Sequence, residues 1–96
     1  MQKKDEEQPI REVIDEMIRL MGGEDKMQEA SLKADWEKVA GKMIAQYTTG
    51  IRLRKNVLYI DLKSASVKNE LLYLKDAIRI KVNQYLGKEV VEKVVF

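Results

Sequence analysis

The chain has no histidine and no cysteine, and this narrows its chemistry before any motif is considered. Imidazole is the usual proton acceptor near neutral pH, and imidazole with thiolate makes up the common zinc sites and many nucleophilic dyads. Carboxylates, lysines, arginines and tyrosines remain. The neighbouring acids Glu6 and Glu7, and Glu24 and Asp25, lack the further oxygen ligands of a calcium loop. Gly22 and Gly23 are not followed by the Gly-Lys-Ser/Thr of a phosphate loop. The expectation is therefore a chain without catalytic residues, metal, cofactor or small-molecule substrate. The side chains that do form a pattern are basic ones around an aromatic ring: Arg52, Arg54, Lys55, Lys63 and Lys68, with Tyr59 among them. Cations of this kind contact phosphates, and a ring of this kind stacks a base. The same alternation is also what a solvated strand face looks like, so both readings stay open.

The elements that position this group follow from periodicity. Ile51 to Arg54 alternates apolar and basic, Lys55 and Asn56 make a turn, and residues 57–63 put Leu58, Ile60 and Leu62 on one face. This predicts an antiparallel hairpin whose outward side carries Arg52, Arg54, Tyr59, Asp61 and Lys63. Before it, Leu32, Trp36, Val39, Ala40, Met43, Ile44 and Tyr47 recur at steps of three and four, predicting a helix over 31–47. Trp36, the only tryptophan, is its core anchor, and Gly41 inside it implies a close approach by another element. Residues 24–30 either form the first turns of this helix or precede a new cap at Ser31. After the hairpin, Ser64 to Ser66 cap a long helix with a stripe of Val67, Leu71, Leu74, Ile78, Val82 and Tyr85, ending at Gly87. Leu72, Tyr73 and Ile80 fall off that stripe, where they widen the core or make an apolar patch for a partner. Residues 90–96 read as a last strand.

A first helix is expected from Pro9 to Met21, with an apolar face of Ile10, Val13, Ile14, Met17, Ile18 and Met21 and a stop at Gly22 and Gly23. The order is then α-α-β-β-α-β, an α+β fold. Its simplest packing is a three-stranded mixed sheet with helices on one face, the last strand parallel to its neighbour. Residues 1–8 are a polar lead-in and 9–96 a single domain.

Charge is unevenly spread under a net of +2: residues 1–29 carry −4 and residues 30–96 carry +6. The basic remainder suits nucleic acid or an acidic protein. With no long apolar run and a charged N-terminus, the chain is expected to be cytoplasmic, with no membrane association.

Trp36 followed by Val39, Ala40 and Gly41, then Ile44, Ala45 and Thr48, then Leu58, Tyr59 and Ile60, Glu70 and Leu71, Asn83, and a closing Val94, Val95 and Phe96 resemble the DUF721 family of DciA-type bacterial helicase loaders. The likeness runs from about residue 24 to the C-terminus. It implies a fold similar to a type II KH domain, with Trp36, Gly41, Glu70, Leu71 and Asn83 as a structural signature. It also implies a non-enzymatic part in DNA replication initiation. The partners would be the replicative DNA helicase and, weakly, single-stranded nucleic acid, DNA rather than RNA, held by basic residues. Two features depart from the pattern: the sequence ends at Phe96 where many such loaders continue, and no Gly-x-x-Gly loop is present. The alternative is a protein-interaction module that binds no nucleic acid and uses the acidic first helix or an open sheet edge.

Overall fold

A computed structural model of the chain describes residues 23–96 together with Val13 and Ile14. The helical run before the hairpin is three segments, α1 (Gly23–Ala34), α2 (Trp36–Ala40) and α3 (Lys42–Tyr47). Ser31 therefore lies within α1 and caps nothing; Gly23 is the first residue of α1, and the stop expected at Gly22 and Gly23 for the preceding helix lies outside the described residues. Of the predicted first helix only Val13 and Ile14 are described; both are helical and exposed, and the remainder lies outside the described residues.

The single helix expected over 31–47 is bent at Asp35 and broken at Gly41. At Asp35 the carboxylate is drawn outward, where Oδ2 accepts from the Tyr85 hydroxyl at 2.6 Å. That hydrogen bond, with some burial, raises the pKa of the phenol. Gly41 has φ 97° and ψ 158°, a backbone region that is essentially glycine's alone. A Cβ placed there would meet nothing within 4 Å, so backbone conformation, not close approach, is the reason for glycine. Gly41 closes α2 through its N–H to Glu37 O and opens α3 by accepting from the Ala45 N–H. The break turns Met43 and Tyr47 outward, while Leu32, Trp36, Val39, Ala40 and Ile44 stay in the core. Trp36 is held across the break: its indole N–H donates to Thr48 Oγ1 at 3.0 Å, which in turn donates to Ile44 O at 2.7 Å.

Strand β1 (Thr48–Arg54) starts three residues earlier than expected and pairs antiparallel with β2 (Val57–Leu62). Lys55 and Asn56 both have positive φ, 49° and 68°, the geometry of a two-residue type I′ hairpin turn. The third helical stretch is also divided: α4 (Ala65–Leu71), a 3₁₀ turn (Leu72–Leu74) and α5 (Lys75–Leu86). Ser64 caps it, its hydroxyl accepting from the Val67 N–H at 3.2 Å. In a 3₁₀ turn residues three apart eclipse, so Leu71 and Leu74 both face inward while Leu72 and Tyr73 face out. The off-stripe residues Leu72, Tyr73 and Ile80 therefore form exposed apolar surface and do not widen the core.

Strand β3 is shorter than expected, Lys93–Val95, and runs parallel to β2, giving the order β1-β2-β3. Residues 88–92 are positioned by side chains. The buried Asn83 amide accepts from the Val90 and Val91 N–H groups at 3.0 and 2.7 Å and donates to Val91 O and the Glu89 carboxylate. Asn56 adds a bond to Val90 O. The core lies between one face of this sheet, with Ile51, Leu53, Leu58, Ile60 and Val94, and the helical layer. The α+β mixed-sheet architecture is thus the expected one. No helix among the described residues is long and apolar enough to cross a membrane.

Candidate nucleic-acid interface

Strand alternation sends one set of side chains into the core and the next set to the outer face. Here the pairing Arg52↔Tyr59↔Val95 forms one cross-strand row of that outer face, and Arg54↔Val57↔Lys93 the next. Arg52, Arg54 and Lys93 are exposed, and Val57, Tyr59 and Val95 half-buried. The result is an apolar and aromatic floor with cations rising from the two flanking strands, β1 and β3, while β2 contributes Val57 and Tyr59.

The Arg52 guanidinium lies over the Tyr59 ring, 5.0 Å from its centroid. One face of the ring is thus already covered, and what is offered to a ligand there is the guanidinium plane with the ring beneath it. Bases stack on arginine planes as well as on rings. Arg52 also reaches Asp61 Oδ1 at 3.9 Å, a long contact between two exposed groups and so a weak one. Towards the start of β1 Gly50 lies opposite Asp61, and a Cβ there would come within 3.2 Å of Asp61 Oδ2.

Arg54 is more firmly engaged. Glu29, on α1, accepts from Arg54 Nη1 at 2.9 Å and from the Leu53 N–H at 2.8 Å through the same oxygen, with Lys33 Nζ 3.4 Å from the other. The carboxylate thereby covers part of the open edge of β1, a place where unpaired N–H groups would invite another strand. Burial pushes the Glu29 carboxyl pKa up, but the Leu53 N–H, Arg54 and Lys33 outweigh it and hold the value below the ordinary 4.5. Arg54 therefore starts with a carboxylate where a phosphate would have to sit.

Lys55, in the hairpin turn, has its backbone N–H on Asp25 Oδ2 at 3.3 Å and its side chain exposed beside this end of the sheet. Lys63 and Lys68 are elsewhere. Lys63 follows the end of β2 and Lys68 lies in α4, one strand length from the turn, or about 20 Å at the usual rise per residue. The fold thus gathers Arg52, Arg54, Lys55 and Tyr59, and leaves Lys63 and Lys68 at the opposite end. Two residues escaped the sequence reading, Lys93 and Glu29. Only the register of a parallel strand puts Lys93 beside Val57, and no local pattern announces the reach of Glu29 to β1.

The signature residues separate in the same way. Trp36, Leu71 and Asn83 are buried, Gly41 is the break between α2 and α3, and Glu70 is exposed on α4. Packing explains Trp36, Leu71 and Asn83, backbone conformation explains Gly41, and neither says anything about Glu70.

Comparison with known proteins gives one result of substance. The model of the family described as Dna[CI] antecedent, DciA, matches residues 9–96. No curated protein and no solved structure matches the chain.

Proposed function

The chain belongs to the DciA family, a family of replication-initiation helicase loaders, and on that premise we propose that it is a non-enzymatic adaptor that binds the replicative DNA helicase and, weakly, single-stranded DNA. The observation that carries the DNA part is the outer sheet face, with Arg52 over Tyr59 and Lys93 in the adjacent row. On this reading Arg52, Lys93, Lys55 and, once released, Arg54 contact phosphates, and the Arg52–Tyr59 stack supports a base. Lys63 and Lys68 contribute less, being a strand length away. The likeness to a type II KH domain belongs to the same proposal and is supported by the α-α-β-β-α-β order. The glycines stand only at 22, 23, 41, 50 and 87, so a Gly-x-x-Gly phosphate clamp is absent and the open sheet face takes its place. We place the protein in the bacterial cytoplasm, where a replicative helicase works.

Fluorescence anisotropy with labelled oligothymidine at about 50 and 200 mM salt tests the DNA part. Three phosphate contacts on a single strand give a log–log salt slope of about −2. Arg52→Glu with Lys93→Glu is expected to flatten it, and Lys63→Glu with Lys68→Glu to change it little. A wild-type affinity indifferent to salt refutes DNA binding through this face.

The pairing of Arg54 with Glu29 and of Arg52 with Asp61 favours a second reading, a protein-interaction module with no nucleic-acid role. Retention of the helicase after nuclease treatment, undiminished in Arg52→Glu with Arg54→Glu, is its signature.

A further inference from the structure

The break at Gly41 leaves a groove on the helical side of the molecule, between the α2–α3 junction and α5. It encloses about 270 Å³. Its floor is apolar, from Met43, Leu74, Ala77 and Ile78, and Lys42 and Lys81 also line it. No carboxylate lines it among the described residues. Ile78 belongs to the core, but Met43 is half exposed and Ala77 is exposed, so the floor presents itself to solvent. Neither Lys42 nor Lys81 has an ion-pair partner among the described residues, unlike Lys33, Arg52, Arg54, Arg79 and Lys88.

We propose that this groove receives an acidic amphipathic helix of a partner protein, its apolar side on Met43, Leu74 and Ala77 and its carboxylates on Lys42 and Lys81. Charge complementarity selects the occupant. An apolar floor excludes water from the contact and rewards a hydrophobic stripe. Two lysines with no carboxylate lining the groove among the described residues favour carboxylates over a neutral or basic face and repel the latter. A nucleic-acid strand fits less well, because no aromatic ring lines the floor and the apolar groups would be wasted on a phosphate backbone. The adaptor then has two working sides, the open sheet face and the helical groove, and can hold a protein without giving up its cationic sheet. This assignment rests on the adaptor reading above and names the surface by which that reading would be carried out.

The test uses the isotope-labelled full chain and three probes: a synthetic amphipathic Leu/Glu helix, a Leu/Lys peptide of the same pattern, and oligothymidine. The Leu/Glu peptide is expected to move the amide resonances of Lys42, Met43, Ala77 and Lys81. Its affinity should fall about tenfold in Lys42→Glu with Lys81→Glu. Met43→Ser, an exposed change that leaves the fold intact, should weaken it independently of charge. Equal binding of the Leu/Lys peptide, no loss in the charge-reversed variant, or oligothymidine perturbing the same four residues overturns the proposal. A parallel retention experiment with purified replicative helicase separates the two levels. Helicase held equally by the wild type and the charge-reversed variant overturns the groove and leaves the adaptor reading standing. Helicase not held by the wild type removes the adaptor reading, and the groove is then judged on the peptide data alone.

Discussion

Replacing Glu29 by glutamine is expected to move stability and DNA affinity in opposite directions. The Glu29 carboxylate holds the Leu53 N–H, Arg54 and Lys33 while its own side chain is 14 % exposed. Glutamine keeps an oxygen for the Leu53 N–H and loses the charge. A charge-assisted hydrogen bond is worth about 1.5–3 kcal/mol and a neutral one about 0.5–1.5, so the exchange costs roughly 1 kcal/mol. That figure stays modest because the Arg54 and Lys33 partners are half exposed and screened by solvent. For a domain of this size it lowers Tm by about 4–8 °C. At the same time Arg54 is released toward the outer face. One more phosphate contact steepens the single-strand salt slope by about 0.7. Thermal melting and anisotropy with oligothymidine read the two effects on the same samples. An affinity gain that survives in Glu29→Gln with Arg54→Ala refutes the idea that Glu29 stands in for a phosphate, and so does an unchanged slope. The pH dependence has a defined sign. With the folded pKa held below 4.5, the unfolded chain binds more protons in that range. The stabilisation is therefore present above 4.5 and lost as the pH falls through the folded value, and the glutamine variant lacks this acid limb.

Three further outcomes are expected. Trp36→Ala removes a buried indole and its bond to Thr48, and urea unfolding should show a loss of about 3–5 kcal/mol. Gly41→Ala meets no steric obstacle but forces an alanine into a glycine-only conformation, at a cost of about 1–3 kcal/mol by the same measurement. Asn83→Ala strands the Val91 N–H and Val91 O in a buried site, while the Val90 N–H keeps its second acceptor, Lys88 O. At about 1–3 kcal/mol for a buried orphaned group, it should destabilise by several kcal/mol, with faster hydrogen exchange at Val91 than at Val90.

What could be read in advance was what local rules govern. Alternation on either side of Lys55 and Asn56 is enough to give the hairpin, its turn and the side on which Arg52 and Tyr59 emerge. The stripe through Leu32, Trp36 and Ile44 marks the core because periodicity measures burial directly. Gly41 was visible as an anomaly, but glycine in a helical pattern reports a cost without its geometry, and a backbone break satisfies it as well as a close approach does. Met43 and Tyr47 followed the periodicity and still left the core, since that break turns α3 so that Ile44 stays inside and these two face out. The long third helix lost its continuity for a similar reason: a 3₁₀ turn preserves the inward stripe through Leu71 and Leu74, so the pattern cannot reveal it. Within the candidate interface, Arg54 looked free because its partner is on another element, and Lys93 was missed because its neighbour is set by a crossover register.

The pairing of β3 with β2 joins Val57 to Lys93, among the most distant partners in the sheet by sequence, and it spans only three residue pairs. Such a contact closes a long loop for little backbone reward, so it forms late and opens first. Asn83 and Asn56 act as its fasteners, gripping residues 90 and 91 just ahead of the strand. A chain whose helices and hairpin have assembled but whose final segment is undocked presents Arg52 and Tyr59 without Lys93. The complete cationic sheet face therefore exists only in molecules that have finished folding, and its affinity for a strand of DNA doubles as a measure of that last step.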